Sequence, residues 1–196
     1  PFVVTYPNEV INREVGEELV VQWDVANTDG SLVNCQHVNI KLSTDGGFNY
    51  PITLAENVPN NGGFFVMIPD EITTTARVRV EAADNIFFDI SNANFEIAPP
   101  TTAGYAFAAS PFGQQVCLPN ATIVELPMLS LLGFNDPVSF DLTGLPPGAV
   151  ANFSNNPTNP ADGDQTLTVD MSSVTVTGDY EMTIVATALN ADTLVR

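Results

Sequence analysis

Apolar and polar residues alternate along most of this chain. Leu19-Val20-Val21-Gln22-Trp23-Asp24-Val25 places Leu19, Val21, Trp23 and Val25 on one face. Val38-Asn39-Ile40-Lys41-Leu42 and Ala76-Arg77-Val78-Arg79-Val80-Glu81-Ala82 do the same. A period of two predicts strands with one dry and one wet face. Phe87-Phe88-Asp89-Ile90 and Asn94-Phe95-Glu96-Ile97 extend the series. No stretch carries convincing helical spacing.

The breaks use turn chemistry. Asn27-Thr28-Asp29-Gly30, Asp45-Gly46-Gly47, Pro59-Asn60-Asn61-Gly62-Gly63 and Ile68-Pro69-Asp70 combine residues that accept positive φ with residues that bond nearby backbone. They separate about seven strands, the count of an immunoglobulin-like or fibronectin type III-like sandwich. Ala98-Pro99-Pro100-Thr101-Thr102 then interrupts the pattern. Proline stiffens the chain and cannot donate to a sheet ladder. We therefore place a first sandwich at residues 1–98, a linker at 99–102 and a second sandwich at 103–196.

The second segment repeats the style. Val138–Leu142, Gln165–Val169 and Tyr180–Ala186 all alternate, and Thr193-Leu194-Val195-Arg196 reads as a closing strand that is short or cut. The fold class expected is all-β, with two tandem immunoglobulin/fibronectin type III-like sandwiches.

Composition narrows the function. Apolar residues make up 44% of the 196 positions and charged residues only 14%, which suits an exported β module better than a cytosolic enzyme. The net charge of −18 with five basic residues disfavours nucleic acid and anionic membranes, whose phosphates need clustered Lys and Arg. An acidic surface also keeps such a protein soluble. No apolar run reaches membrane-spanning length. The chain reads as an excerpt of a longer protein.

Candidate chemistry is sparse. Ser43-Thr44-Asp45-Gly46-Gly47-Phe48-Asn49-Tyr50 fits the Asp-box pattern. Asp45 is expected to accept bonds from the following backbone N–H groups to Gly47 or Phe48, with Gly46 and Gly47 supplying the left-handed angles. That makes it a turn scaffold, not an active-site loop. His37 is the one histidine and lies on the same strand face as Cys35 if that segment is extended. No Gly-x-Ser-x-Gly elbow or distant nucleophile is evident to partner it. Cys35 and Cys117 form no zinc pattern and are expected as two separate buried thiols. Calcium would have to draw on Asp162 and Asp164, or on Asp84, Asn85 and Asp89, but no EF-hand spacing exists. Gly144-Leu145-Pro146-Pro147-Gly148 is a rigid turn, lacking the Lys and helix of a phosphate loop. No catalytic, cofactor-binding or metal-binding residue is assigned.

Four strings carry a resemblance: VQWDVANTDG, VNCQHVNIKLSTDGGFNYPITLAENVPNNGG, ARVRVEAADNIFFDISNANFEI and GLPPGAVANFSNNPTNP. They resemble the tandem β-sandwich modules that follow the catalytic domain in secreted reprolysin-like zinc metallopeptidases of Gram-negative bacteria. The resemblance covers most of the first segment and the middle of the second. It implies an exported, non-catalytic accessory region that partners an upstream catalytic domain, and a protein substrate or cell surface. It carries over no catalytic residue, because the His-Glu-x-x-His zinc motif is absent from this sequence. In a bacterial exported protein the glycosylation patterns at Asn120 and Asn152 carry no weight. The alternative reading is a glycan-binding or adhesive module. Trp23 is expected in the core, which leaves Tyr50, Tyr105 and Phe64 as aromatic candidates for a sugar.

Overall fold

A computed structural model describes residues 1–196. The chain divides into two compact units, Pro1–Thr101 with Pro111–Gly113, and Thr102–Ser110 with Gln114–Arg196. Both are built from strands; the only helical element is a 3-10 turn at Pro160–Asp162.

The first unit contains β1 (Val3–Tyr6), β2 (Asn12–Glu14), β3 (Glu18–Asp24), β4 (His37–Ser43), β5 (Ile52–Pro59), β6 (Gly63–Met67), β7 (Thr73–Ala82), β8 (Phe88–Ile90) and β9 (Phe95–Ala98). One sheet has the order β1-β3-β6, the other β2-β9-β7-β4-β5, with β8 also paired to β7. Every pair is antiparallel except β2 with β9. This is an immunoglobulin-like sandwich.

The alternating residues make its core. Leu19, Val21 and Trp23 of β3, Val38, Ile40 and Leu42 of β4, and Ala76, Val78 and Val80 of β7 are all buried. Phe95 and Ile97 of β9 join them. The strand count exceeds the expected seven because two strands are broken. The opening strand changes sheet between β1 and β2. The strand beside β7 is interrupted between β8 and β9, where buried Ser91 keeps the ladder satisfied: Val78 N donates to Ser91 Oγ at 3.0 Å, and Ser91 N to Val78 O at 2.8 Å.

The second unit contains β10 (Gly104–Phe107), β11 (Thr122–Leu126), β12 (Met128–Leu131), β13 (Val138–Thr143), β14 (Val150–Phe153), β15 (Gln165–Asp170), β16 (Thr183–Ala188) and β17 (Leu194–Val195). Pro127 separates β11 from β12. β10 pairs with β12, β11 with β15 and β15 with β14, while β13, β16 and β17 form the opposing sheet. Counting β11 and β12 as one broken strand gives the four-plus-three arrangement of constant-type immunoglobulin domains. Val124, Leu126, Leu167 and Val169 from one side meet Val138, Phe140, Ile184 and Ala186 from the other in a single core cluster.

Asn156 shields the outer edge of β13. Its side-chain amide donates to Phe140 O at 2.7 Å and its Oδ1 accepts from Phe140 N at 2.9 Å, so one side chain replaces a strand partner. The strand expected from Tyr180 begins only at Thr183, opposite Thr143, the last residue of β13. Beyond that point Gly144, with φ of 82°, turns the chain away and leaves Tyr180 to Met182 without a ladder partner. Closure by Leu194–Val195 is short, and Arg196 exchanges both backbone bonds with Ile184 at 2.7 and 2.8 Å.

Candidate functional site

Asp45 is the best-connected carboxylate of the molecule. It sits in the turn between β4 and β5. Its Oδ1 accepts from Phe48 N and Asn49 N, both at 3.0 Å, and from Ser43 Oγ at 2.7 Å. Asn49 Nδ2 donates to Oδ2 at 2.7 Å. Gly47 N does not reach Asp45; it donates to Ser43 Oγ at 2.9 Å. These bonds favour the charged form and hold the carboxyl down at about 2, with the Asn49 backbone donor as the largest cause. Gly46 and Gly47 have φ of 80° and 95°, which side chains rarely adopt. The loop is organised around Asp45, and its carboxylate is directed at its own backbone.

Beside this turn lies a cationic stack on the outer face of β4 and β7. Lys41 and Arg79 stand directly opposite each other across the two strands. Like charges in that position repel. Glu81 bridges them, at 2.9 Å to Lys41 and 2.6 Å to Arg79. The Arg79 guanidinium lies 4.8 Å from the Tyr50 ring centre and 5.6 Å from that of Phe88. The Tyr50 ring is therefore engaged by Arg79. Burial also pushes its hydroxyl pKa up.

Trp23 is 3% exposed and part of the core. Tyr105 is core as well, not a sugar platform; its hydroxyl lies 2.7 Å from Ala186 O. Phe64 is half-buried and meets Phe112 edge-on, with ring centres 4.7 Å apart. His37 opens β4 and is exposed, whereas Cys35 just ahead of it is fully buried. The two side chains do not share a face, because the strand starts only at His37. The Cys35 thiol donates to His37 O at 3.1 Å, and burial followed by the neighbouring Asp84 raises its pKa. Cys117 is a free thiol like Cys35 but is exposed, contrary to the expectation of two buried thiols. It lies in the irregular segment before β11, where no strand pattern buries alternate residues.

Two of the acidic groups considered for calcium serve the backbone. Asp164 Oδ1 accepts from Met128 N at 3.0 Å, and Asp89 Oδ2 from Val4 N at 2.7 Å. No group of three or more His, Cys, Asp or Glu side chains comes close enough to hold a metal.

One feature was not evident from periodicity: the long loop from Val25 to Gln36, between β3 and β4. It is tied down throughout. Asp24 Oδ1 accepts from Ala26 N at 2.8 Å, Asn34 N donates to Gly30 O at 2.7 Å, and Cys35 N to Thr28 O at 2.9 Å. Buried Asn60 supports it from below, donating to Thr28 Oγ1 and Cys35 O, each at 2.9 Å. Ala26, Asn27 and Asn34 hold positive φ. The hairpin between β7 and β8 lies at the same end of the sandwich, since Ala83 N donates to His37 O at 3.0 Å. Asn-Thr-Asp-Gly announced a turn here, but not one of this length.

No known protein family and no curated protein sequence matches the chain. Among solved structures it is similar to fibronectin(III)-like modules of CbhA from Clostridium thermocellum, at 8% identity. That match covers 100% of this chain and 91% of the other, with a TM-score of 0.29. At that score the likeness decides nothing, and the strand order described above carries the fold: two immunoglobulin-like β-sandwich units.

Proposed function

We propose that this chain is a non-catalytic accessory region of a larger exported protein, acting as a spacer, stabiliser or docking module. The observation that supports it is where the reactive side chains are directed. Asp24, Asp45, Asp89, Asp164 and Asp170 each accept from backbone N–H groups of their own fold. Cys35 is sealed in the interior. General acid–base or nucleophilic chemistry needs such groups in mutual reach and facing a substrate.

The finer reading is that the parent protein is a secreted zinc metallopeptidase. It is supported by the four sequence strings quoted above. Its test is a comparison of the parent with and without this region. Turnover of a short peptide should be unchanged on removal, while turnover of a macromolecular substrate or attachment to it falls. Equal loss on both substrates would mark the region as part of the catalytic fold instead. A parent without a His-Glu-x-x-His motif would remove the peptidase assignment and leave the accessory role.

A further inference from the structure

The loop end of the first unit displays large aliphatic side chains on a rigid frame. Leu32 is 100% exposed and Val33 40%, both on the loop between β3 and β4. Ile86, at the tip of the hairpin between β7 and β8, is 96% exposed. A single exposed aliphatic residue needs no explanation. Here three stand on two neighbouring loops, and neither loop is free to fold them away.

The first loop is held by its own hydrogen-bond ladder, by Gln36 Nε2 donating to Asp29 O at 2.6 Å, and by the buried Asn60 beneath it. Its backbone departs from the usual regions at Ala26, with φ of 51°, and at Asn27 and Asn34. Such geometry persists only where surroundings impose it. Beside it, Ala83 N bonds to His37 O. Asp84 lies against the Cys35 thiol. At the base of the second loop the Phe2 and Phe87 rings meet edge-on, with centres 4.8 Å apart. A loop fixed in this way loses little conformational freedom when something binds to it.

Charge says what kind of surface would bind. Asp24 at the start of the first loop, Asp29 on it and Asp84 on the second loop are all exposed. The sequence has no Lys or Arg between Arg13 and Lys41, nor between Arg79 and Arg196, so neither loop carries a cation. The overall charge of −18 attracts a cationic partner over a distance and repels a second copy or an anionic one.

From these observations we infer that the two loops form a docking site for a protein surface that is apolar at its centre and carries Lys or Arg at its rim. The inference rests on the accessory reading above and names the partner's chemistry. The aliphatic tips supply desolvated contact, and the three aspartates set orientation and exclude acidic surfaces.

The test uses the whole chain, isotopically labelled, and a capped peptide of alternating Lys and Leu at physiological salt. Lys–Ser and Glu–Leu peptides are the controls. The expected result is amide shifts confined to residues 25–36 and 83–88 with the Lys–Leu peptide, and none with the controls. Leu32→Ser combined with Ile86→Ser should weaken binding at least about 10-fold, as for loss of the central contacts of an interface. Asp29→Asn with Asp84→Asn should weaken it about 3-fold or more and flatten its salt dependence. Melting temperatures confirm that each variant is folded. Shifts spread over the acidic surface, or equal binding of Lys–Ser, would reduce the effect to bulk charge and overturn the site. Self-association in sedimentation that Leu32→Ser with Ile86→Ser abolishes would assign the loops to a second copy and overturn it as well. Either failure leaves the accessory reading intact, whereas catalytic turnover by this chain would defeat that reading without touching the loops.

Discussion

The indole Nε1 of Trp23 donates to Oδ1 of Asn60 at 2.9 Å, and both side chains are buried, at 3% and 5% exposure. Trp23 brings its ring into the core from β3. Asn60, the first residue of the β5–β6 turn, satisfies the one polar atom of that ring. Its other end bonds Thr28 Oγ1 and Cys35 O, so a single amide joins the core to the long loop. Trp23→Ala should cost about 3–5 kcal/mol, as large aromatic truncations do. Asn60→Leu should cost about 1–3 kcal/mol for the polar groups left unpaired. Because the two residues share a bond, the double variant should lose less than the sum. Denaturant unfolding of the four proteins checks this, and strict additivity would show that the bond contributes nothing.

The Asp45 turn makes a pH prediction. Its carboxyl is held at about 2 in the folded chain, below its ordinary value. A depressed carboxyl adds stability that is present above the unfolded pKa and lost as pH falls through the folded one. The wild-type advantage over Asp45→Asn should therefore be constant above pH 5 and shrink between about pH 4 and pH 2. Melting temperatures across that window, with an NMR titration of the Asp45 carboxyl, measure it. A midpoint near the ordinary carboxylate value would show that the turn bonds are absent in solution.

The two thiols should differ sharply in reactivity. Burial and the nearby Asp84 disfavour the Cys35 thiolate, whereas Cys117 is exposed. A chromogenic disulfide reagent at pH 8 should titrate one thiol promptly in the folded chain and two after denaturation. Cys117→Ser should abolish the prompt reaction. Two prompt thiols would mean that the loop over Cys35 opens readily.

Gly144 offers a packing test. A Cβ built there would lie 2.0 Å from Glu181 O, and its φ of 82° is strained for any L side chain. Gly144→Ala should destabilise by more than about 1 kcal/mol, the scale of a positive-φ penalty before any clash is counted. Gly104, whose Cβ would meet nothing within 4 Å, is the control position.

Much of this fold was legible because its strands obey a period of two. Leu19, Val21 and Trp23 alternate in sequence and are buried in the structure, as are Val38, Ile40 and Leu42. The Asp45 turn was legible for a local reason: its bonds span only two to four residues, from Ser43 to Asn49. What escaped depended on distant partners. Tyr180 alternates with its successors, yet its strand starts only at Thr183, since β13 ends opposite that residue. The exposure of Cys117 reflects a segment without strand partners, which composition does not reveal. Tyr105, offered as a surface aromatic, is core because β10 places it beneath Ala186 and Phe134. The rigidity of the two loops at that end escaped in part because Asn60 and His37, which anchor them, lie far along the chain or on another strand.

Whether this chain performs chemistry is decided by turnover. The purified chain is assayed on casein, peptide esters and a panel of glycosides, with and without added zinc. The accessory reading predicts no turnover above buffer in any of these. Reproducible hydrolysis that disappears on substitution of one acidic side chain, with the melting temperature unchanged, would contradict it.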